Sequence, residues 1–153
     1  AAEQQLLTSG HNASVVRFAG IYGIPGSRLM SRVGRGELYH SEPVSYTNRI
    51  HRDDCAGFLA HLLQLVDVGK KIEPLYIGVD NEPAPRYEVE AWLAGAMGLK
   101  VLPQQRLPAS VDQPTGRGES GQKRCRNKAL HDSGYQLIYP DYKSGYNALL
   151  AQN

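Results

Sequence analysis

The order of apolar and polar positions along the chain predicts alternating strands and helices. Residues 14–18 and 75–79 are short, mostly apolar runs of the kind that form buried strands. Between them, residues 53–66 carry apolar side chains at helical spacing, and Asp53 or Asp54 can cap the first turn. The side chains expected on the buried face of this helix are Ala56, Leu59, Leu62, Leu63 and Val66. This order of elements predicts an α/β layer.

Weaker patterns predict further elements around this unit. Residues 1–9 are good helix formers that stop before Gly10, and residues 85–97 have a helical apolar stripe. The side chains of that stripe are Val89, Trp92, Leu93 and Ala96. Shorter helices are expected at 28–35, after Asn127 and after Asp141, with an extended segment at 44–50. Residues 100–123 lack periodicity and contain three prolines and three glycines, which is typical of a functional loop.

Two predicted strands are too few for a complete sheet. A parallel pair would leave backbone hydrogen-bonding groups without partners along an inner edge. Because the first residue, Ala1, is not Met, we expect that an N-terminal part of the protein precedes it. We therefore interpret residues 1–153 as a single portion of a larger Rossmann-like, doubly wound sheet.

Composition narrows the class of protein. The 153 residues are 41% hydrophobic and 21% charged, which is typical of a globular domain. The net charge of +2 is too small to predict nucleic-acid binding. No apolar run approaches the ~20 residues that span a membrane, and no secretory signal is visible. Two cysteines, Cys55 and Cys125, suit a reducing compartment, so we expect a cytoplasmic protein.

Motifs that would specify catalysis or a metal site are missing from the sequence. No Gly-x-Gly-x-x-Gly opens a helix after a strand, so no dinucleotide phosphate cradle is predicted. Tyr139 and Lys143 have Tyr-x-x-x-Lys spacing, but Pro140 and Asp141 separate them into different elements. The five histidines do not cluster with cysteines or carboxylates at metal-ligand spacing. We therefore assign no catalytic residue and no metal ligand.

Several residues have both a functional and a structural interpretation. The glycine-rich residues 20–26 follow a strand, where backbone can approach a ligand closely or simply turn. Arg28 can face a phosphate or lie solvated on its helix. His51 ends a predicted extended segment, where ligand crevices form. Lys123, Arg124, Arg126 and Lys128 form either a solvated surface or an anion contact. Arg17, inside a strand expected to be buried, can pair with a carboxylate outside this chain.

Three segments together resemble one family. Residues 17–26 resemble the segment Arg-x-x-Asn-x-Tyr-Gly-Pro-Gly of the extended short-chain dehydrogenases/reductases, the NAD-dependent epimerase/dehydratase family. Residues 50–56, Ile-His-Arg-Asp-Asp-Cys-Ala, resemble the family segment Ile-His-Val-x-Asp-x-Ala. Lys128-Ala129-Leu130 followed by Gly134-Tyr135 resembles a Lys-x-x-x-x-Leu-Gly-Trp/Tyr motif near the family's C-terminus. Residues 139–146 are most similar to a divergent bacterial branch of this family, the nucleoside-diphosphate-sugar epimerases.

The resemblance implies a division of labour between two halves of a protein. In such enzymes the N-terminal half binds NAD or NADP and carries the catalytic Tyr-x-x-x-Lys, and the C-terminal half binds a nucleotide-sugar. This chain is similar to the C-terminal half, the end of a Rossmann-like sheet with a small substrate-side α/β subdomain. The dinucleotide-binding half is absent. By position, Phe18, Ala19 and Gly20 would contact the cofactor, with Gly20 in place of the family's substrate-contacting Asn. The implied substrate-binding residues are Tyr22, Arg28, Arg49, His51 and Arg117.

Three functional hypotheses remain open. The first is the substrate-binding part of an NAD(P)-dependent epimerase, dehydratase or reductase, inactive as an isolated fragment. The second is a non-catalytic module of the same fold that senses a metabolite or redox state. The third is an interaction module that covers its exposed sheet edge with a second copy, forming a homodimer.

Overall fold

The computed structural model describes residues 2–100, 106–107 and 123–152. The helices are α1 (Ala2–Leu7), α2 (Arg28–Gly34), α3 (Arg52–Asp67), α4 (Arg86–Ala96), α5 (Lys128–Asp132) and α6 (Tyr142–Leu150). The strands are β1 (Val15–Phe18), β2 (Gly20–Tyr22), β3 (Leu38–Tyr39), β4 (Tyr46–Thr47), β5 (Arg49–His51), β6 (Leu75–Gly78), β7 (Ala84–Pro85) and β8 (Arg106–Leu107). Within these ranges, no helix combines the length and the apolar composition needed to cross a membrane.

The strands form four short pairs, and one continuous segment, residues 15–22, changes strand partner in its middle. Strand β1 pairs in parallel with β6, with Val15 opposite Leu75, and β2 pairs in parallel with β5. The change of partner occurs at Ala19, whose N–H donates to Gly78 O at 3.1 Å, and Gly20, whose N–H donates to Asn48 O at 3.2 Å. Strands β3 and β8 are parallel, and β4 and β7 are antiparallel. The predicted α/β class with parallel sheet pieces is confirmed.

Two hydrophobic cores form in the described part of the chain. The first joins α2, α4 and α6 through the buried side chains Met30, Val33, Leu38, Ala84, Val89, Leu93, Ala94, Tyr142, Tyr146 and Leu149. The second joins α3 and α5 to the β1–β6 pair through Phe58, Leu62, Tyr76 and Leu130. The first core packs the helices around β3 and β7, and the second packs α3 and α5 on the β1–β6 pair.

The predicted buried face of α3 is wrong. Leu62 is buried, but Ala56, Leu59, Leu63 and Val66 are exposed, and Leu63 is 72% exposed. The helix turns Cys55, Phe58 and Leu62 inward instead. Apolar residues occur on most of the helix circumference, so their spacing alone does not select one face. A buried polar residue, Asp54, selects the face.

Asp54 is an anchor rather than the helix cap that its position suggests. The side chain is fully buried and accepts hydrogen bonds from Tyr135 Oη (3.1 Å), Ile138 N (2.7 Å) and Tyr139 N (3.0 Å). The cap is His51, whose Nδ1 accepts from Asp53 N at 3.2 Å. Residues 135–139 thus bind the first turn of α3 through two backbone N–H groups and the Tyr135 hydroxyl, and they form no strand.

Arg17 has a carboxylate partner within the chain. Its side chain is 56% exposed and pairs with Glu3 of α1. The strand β1 is only partly buried, so the expectation of a fully buried strand is wrong. The reason is its position: in the part of the chain that the structure describes, β1 has β6 as its one strand partner.

We predict that replacing Asp54 with Asn lowers the free energy of unfolding by about 2–4 kcal/mol. The amide retains the size of the carboxylate. However, its NH₂ group faces an N–H or O–H donor where the carboxylate accepted a hydrogen bond. Urea denaturation followed by circular dichroism measures the change.

The matched control is Asp53→Asn, one residue earlier on the same helix. The side chain of Asp53 is 50% exposed and pairs with Arg52 on the surface, so we expect a loss below about 1 kcal/mol. Equal losses in the two variants would contradict an anchoring role for Asp54.

Candidate functional site

A cleft of about 400 Å³ lies between β2, β5 and the helices α2, α4 and α6. Three of the predicted substrate-binding residues, Tyr22, Arg28 and Arg49, line it, and so does Gly20. The apolar side chains of Ile21 and Ile24 form part of the lining and are 58% and 61% exposed. The sequence-predicted residues therefore converge on a concave surface at the end of β2, where a ligand can be enclosed.

The cleft carries an excess of positive charge. Arg28, Arg32, Arg49 and Arg86 line it, against one carboxylate, Glu90. Glu90 is buried and already engaged, because Oε1 accepts from Arg32 Nη2 at 2.5 Å and Oε2 from Tyr39 N at 2.8 Å. No carboxylate in the described ranges forms an ion pair with the other three arginines. Guanidinium groups without a carboxylate partner are well suited to bind an anion such as a phosphate.

Tyr39 holds two of these arginines in place. The guanidinium of Arg32 lies 4.5 Å from the centre of the Tyr39 ring, and that of Arg86 lies 4.7 Å from it. Such cation–π contacts are stronger where water is excluded, and Tyr39 is 4% exposed. The charge of Arg32 is balanced by Glu90, so its role is structural. Arg86 lines the cleft without such a carboxylate among the described residues, so its charge remains available there.

Arg49 is the most buried cation of the cleft. It is 6% exposed, Nη2 donates to the Thr47 hydroxyl, and the guanidinium lies 5.2 Å from the centre of the Tyr142 ring. The other terminal nitrogen, Nη1, is buried and has no hydrogen-bond partner in the described part of the chain. A buried donor left unpaired costs about 1–3 kcal/mol, a cost that an acceptor able to reach Arg49 would offset.

Asp80 lies directly beside Arg49. Its backbone N–H donates to Arg49 O at 2.7 Å, and its carboxylate Oδ1 accepts from Glu82 N at 3.1 Å. The second carboxylate oxygen, Oδ2, is buried without a partner among the described residues. Burial raises the pKa of Asp80 to about 7, although the attraction of Arg49 opposes the shift. No sequence pattern singled out Asp80.

Tyr22 and His51 form an aromatic wall behind the cleft. The Tyr22 ring lies 4.7 Å from Tyr146 and 5.1 Å from His51, between ring centres. Burial raises the pKa of Tyr22, and that of Tyr146 to about 12, so both hydroxyls stay neutral. His51 is 3% exposed and does not line the cleft. Burial lowers its pKa, and it supports Tyr22 while capping α3.

The glycines of residues 20–26 are needed by the packing of the loop itself. Gly23 has φ of +119°, and a Cβ there would lie 2.7 Å from His51 Nε2. A Cβ on Gly20 would lie 3.2 Å from Asn48 O. Gly20, Gly23 and Gly26 have Gly-x-x-Gly-x-x-Gly spacing, which also occurs in dinucleotide-binding turns of the extended short-chain dehydrogenases. Here β2 begins at the first of these glycines, so the segment is not a turn that leads directly into a helix.

Phe18 and Ala19 lie outside the cleft, at the carboxyl end of β1. The Phe18 ring packs over Gly78, where any Cβ would clash with it, and against the second core. Ala19 contributes backbone to the change of strand partner. The structure thus separates these two predicted cofactor contacts from the arginine-lined cleft. Arg117, the remaining predicted substrate residue, lies outside the described residues.

Asn48 is a site residue that sequence reasoning missed. Its side-chain amide donates to Lys123 O at 2.8 Å and accepts from Cys125 N at 2.7 Å. It thereby holds the basic segment 123–126 next to the cleft, with the Arg124 guanidinium 4.9 Å from the centre of the Tyr46 ring. Lys128, in contrast, pairs with Asp132 on the surface. An isolated Asn before a strand gave no sign of this long-range clamp.

Tyr139 and Lys143 do not form a catalytic pair. Tyr139 precedes α6 and stacks on His51 at 4.1 Å between ring centres, whereas Lys143 lies in α6 and is 3.6 Å from Glu82. Asp141 caps α6 through a capping box with Ser144, as predicted for that helix start. Across the described residues, no three His, Cys, Asp or Glu side chains come together in a way that would hold a metal ion.

The sequence matches no protein-family model and no curated protein sequence. Solved structures, however, are similar over nearly its whole length. A protein of Methylobacillus flagellatus described as an NAD-dependent epimerase/dehydratase is 40% identical, with a TM-score of 0.73. The alignment covers 99% of this chain and 50% of that protein. A conserved protein of unknown function from Silicibacter pomeroyi is 32% identical, with a TM-score of 0.77, and the match covers 99% of this chain and 53% of that one.

A more distant match agrees in fold. The human epimerase family protein solved with NADPH is 21% identical, with a TM-score of 0.73, over 92% of this chain and 48% of that protein. The chain spans about half the length of each of these solved proteins. By sequence identity, the chain is therefore similar to about half of a protein described as an NAD-dependent epimerase/dehydratase, and it shares the fold of the human epimerase family protein.

Proposed function

We propose that this chain is the C-terminal, substrate-side portion of an NAD(P)-dependent enzyme and that its cleft binds the anionic part of a nucleotide-sugar. The reaction is an epimerisation, a dehydration or a reduction. The similarity to a protein described as an NAD-dependent epimerase/dehydratase supports the oxidoreductase-like class. The nucleotide-sugar assignment draws on distant relatives of the same fold, among them a UDP-N-acetylglucosamine 4-epimerase and a dTDP-glucose 4,6-dehydratase.

The observation that carries this proposal is the charge of the cleft. Arg28, Arg49 and Arg86 face it without a carboxylate partner in the described part of the chain, and the one lining carboxylate is neutralised by Arg32. A nucleotide-sugar carries a negatively charged diphosphate. One guanidinium group can donate two parallel hydrogen bonds to phosphate oxygens. The exposed side chains of Ile21 and Ile24 offer apolar contact for the remainder of such a ligand.

The fit of the cofactor is partial. Solved relatives contain NADPH or NAD, and a nicotinamide cofactor supplies hydride transfer when bound. Phe18, Ala19 and Gly20, at the carboxyl end of β1, would lie at its nicotinamide end. The sequence offers no glycine-rich turn that opens a helix directly after a strand, so we assign the cofactor phosphates to an N-terminal half. That half would pair with the free edge of β1.

A second candidate function is a non-catalytic sensor of a metabolite or of redox state. Gly20 favours it, because it occupies the place of the family's substrate-contacting Asn and its backbone is committed to Asn48. An N-terminal half that lacks Tyr-x-x-x-Lys would support the sensor, and an intact pair would support the enzyme.

We predict that Arg28→Gln weakens the binding of pyrophosphate, and of UDP-N-acetylglucosamine, by about tenfold or more, because a charge-assisted hydrogen bond contributes about 1.5–3 kcal/mol. Isothermal titration calorimetry measures both affinities. The matched control is Arg35→Gln, at the end of the same helix, where Arg35 pairs with Glu37 outside the cleft at 2.9 Å. A similar loss in both variants would contradict an anion site at Arg28.

We also predict that the isolated chain has no turnover with NAD(H) or NADP(H) and any nucleotide-sugar. It lacks both the phosphate-binding turn and a Tyr-x-x-x-Lys pair on one helix. Nicotinamide absorbance and product chromatography provide the measurement. Addition of a separately expressed N-terminal half from the full gene product is the control, since activity is expected only in that mixture. Turnover by the chain alone would disprove the division of labour.

A further inference from the structure

Two buried residues of opposite charge, Arg49 and Asp80, are neighbours at the cleft, which Arg49 lines. Backbone hydrogen bonding between Asp80 N and Arg49 O, 2.7 Å apart, holds the two residues side by side. The side chains are 6% and 2% exposed. The backbone thus holds the two residues next to each other whatever the charge of either side chain, and Arg49 is close enough to lower the pKa of Asp80 by its charge.

Each member of the pair retains one unused polar atom. Arg49 Nη1 and Asp80 Oδ2 are both buried without a hydrogen-bond partner among the described residues. Arg49 lines the cleft, whereas Asp80 does not. An anion that enters the cleft thus meets Arg49 directly, whereas Asp80 acts on Arg49 through its charge.

We propose that Asp80 is a positioning residue that sets the anion affinity of Arg49 through its own charge. Ionised Asp80 competes with the ligand for the guanidinium, and neutral Asp80 leaves the positive charge of Arg49 to the ligand. This inference rests on the proposed function, namely that the cleft binds an anion.

The surroundings of Asp80 decide which group changes charge near neutral pH. Arg49 faces it from β5, Glu82 from the following turn and Asp141 from the start of α6, and Tyr22 and Tyr146 complete the surroundings. Burial raises the pKa of Asp80 to about 7, and the two carboxylates raise it further while Arg49 lowers it. Both tyrosines stay neutral because burial raises their pKa.

The direction of the pH effect follows from these charges. Below the pKa of Asp80 the carboxyl is neutral and Arg49 presents an uncompensated charge. As the pH rises through that pKa, Asp80 ionises and anion affinity falls. Burial lowers the pKa of His51, which contacts Tyr22, and so moves its titration away from this step.

Sulfate is the probe, because it remains a dianion across the pH range. Its affinity for the 153-residue chain is measured by calorimetry between about pH 5.5 and 8.5, a range that brackets this step. We expect a fall of about three- to tenfold as the pH rises, from the Coulomb energy of a partly buried pair. Asp80→Asn should remove the fall. Asp132→Asn, which changes an exposed carboxylate paired with Lys128, should retain it.

A second measurement does not depend on the folding of the variant. Since coupling is reciprocal, bound sulfate must raise the pKa of Asp80 in the unaltered chain, which carboxyl ¹³C NMR detects. A pKa that does not respond to sulfate, or an equal fall in Asp80→Asn, would overturn the role of Asp80 alone. Failure of sulfate and pyrophosphate to bind at every pH would instead overturn the anion cleft and this inference with it.

Discussion

The fold depends on one extended segment, Val15–Tyr22, that pairs with two different strands in succession. Its first half pairs with β6 and its second half with β5, and the change occurs between Ala19 and Gly20. The β1–β6 pair lies over the second core, and the β2–β5 pair borders the cleft. The segment therefore ties the second core to the cleft. Gly20 permits the change, because Asn48 O comes within 3.2 Å of the place that a Cβ would occupy.

Two buried carboxylates illustrate how structural and functional demands differ. Asp54 is fully buried, and three donors satisfy its two oxygens, so it fixes the rotation of α3 and the path of residues 135–139. Asp80 is almost as buried, but one of its oxygens lacks a partner and burial raises its pKa to about 7. A buried carboxylate whose oxygens all accept hydrogen bonds stabilises one arrangement of the chain. A buried carboxylate with an unpaired oxygen has an ionisation that responds to its surroundings. The first pattern is typical of an anchor and the second of a site.

The sequence predicted the elements well and their environments less well. Periodicity located α3, α4 and β6 to within about two residues. Three residues that the resemblance implied as substrate-binding, Tyr22, Arg28 and Arg49, line one cleft in the structure. It did not predict the buried face of α3, because Leu59 and Leu63 satisfy the same helical spacing as Phe58 and Leu62. Nor did it predict the Asn48 clamp, which joins residues 75 and 77 positions apart. Such contacts depend on tertiary packing, which local patterns do not encode.

The whole chain carries a net charge of only +2, so its overall composition does not explain the positive charge of the cleft. That charge arises because four arginines line the cleft with one carboxylate among them. Glu90 could have neutralised any of the lining arginines, but its two oxygens bind Arg32 and the backbone of Tyr39. That choice joins α2, α4 and β3, and it leaves the cleft positive. Tyr39 then orients Arg86, and Thr47 and Tyr142 orient Arg49, so these charges are held before a ligand arrives. Such preorganisation reduces the entropy lost on binding. It is the strongest physical reason to regard the cleft as an anion site.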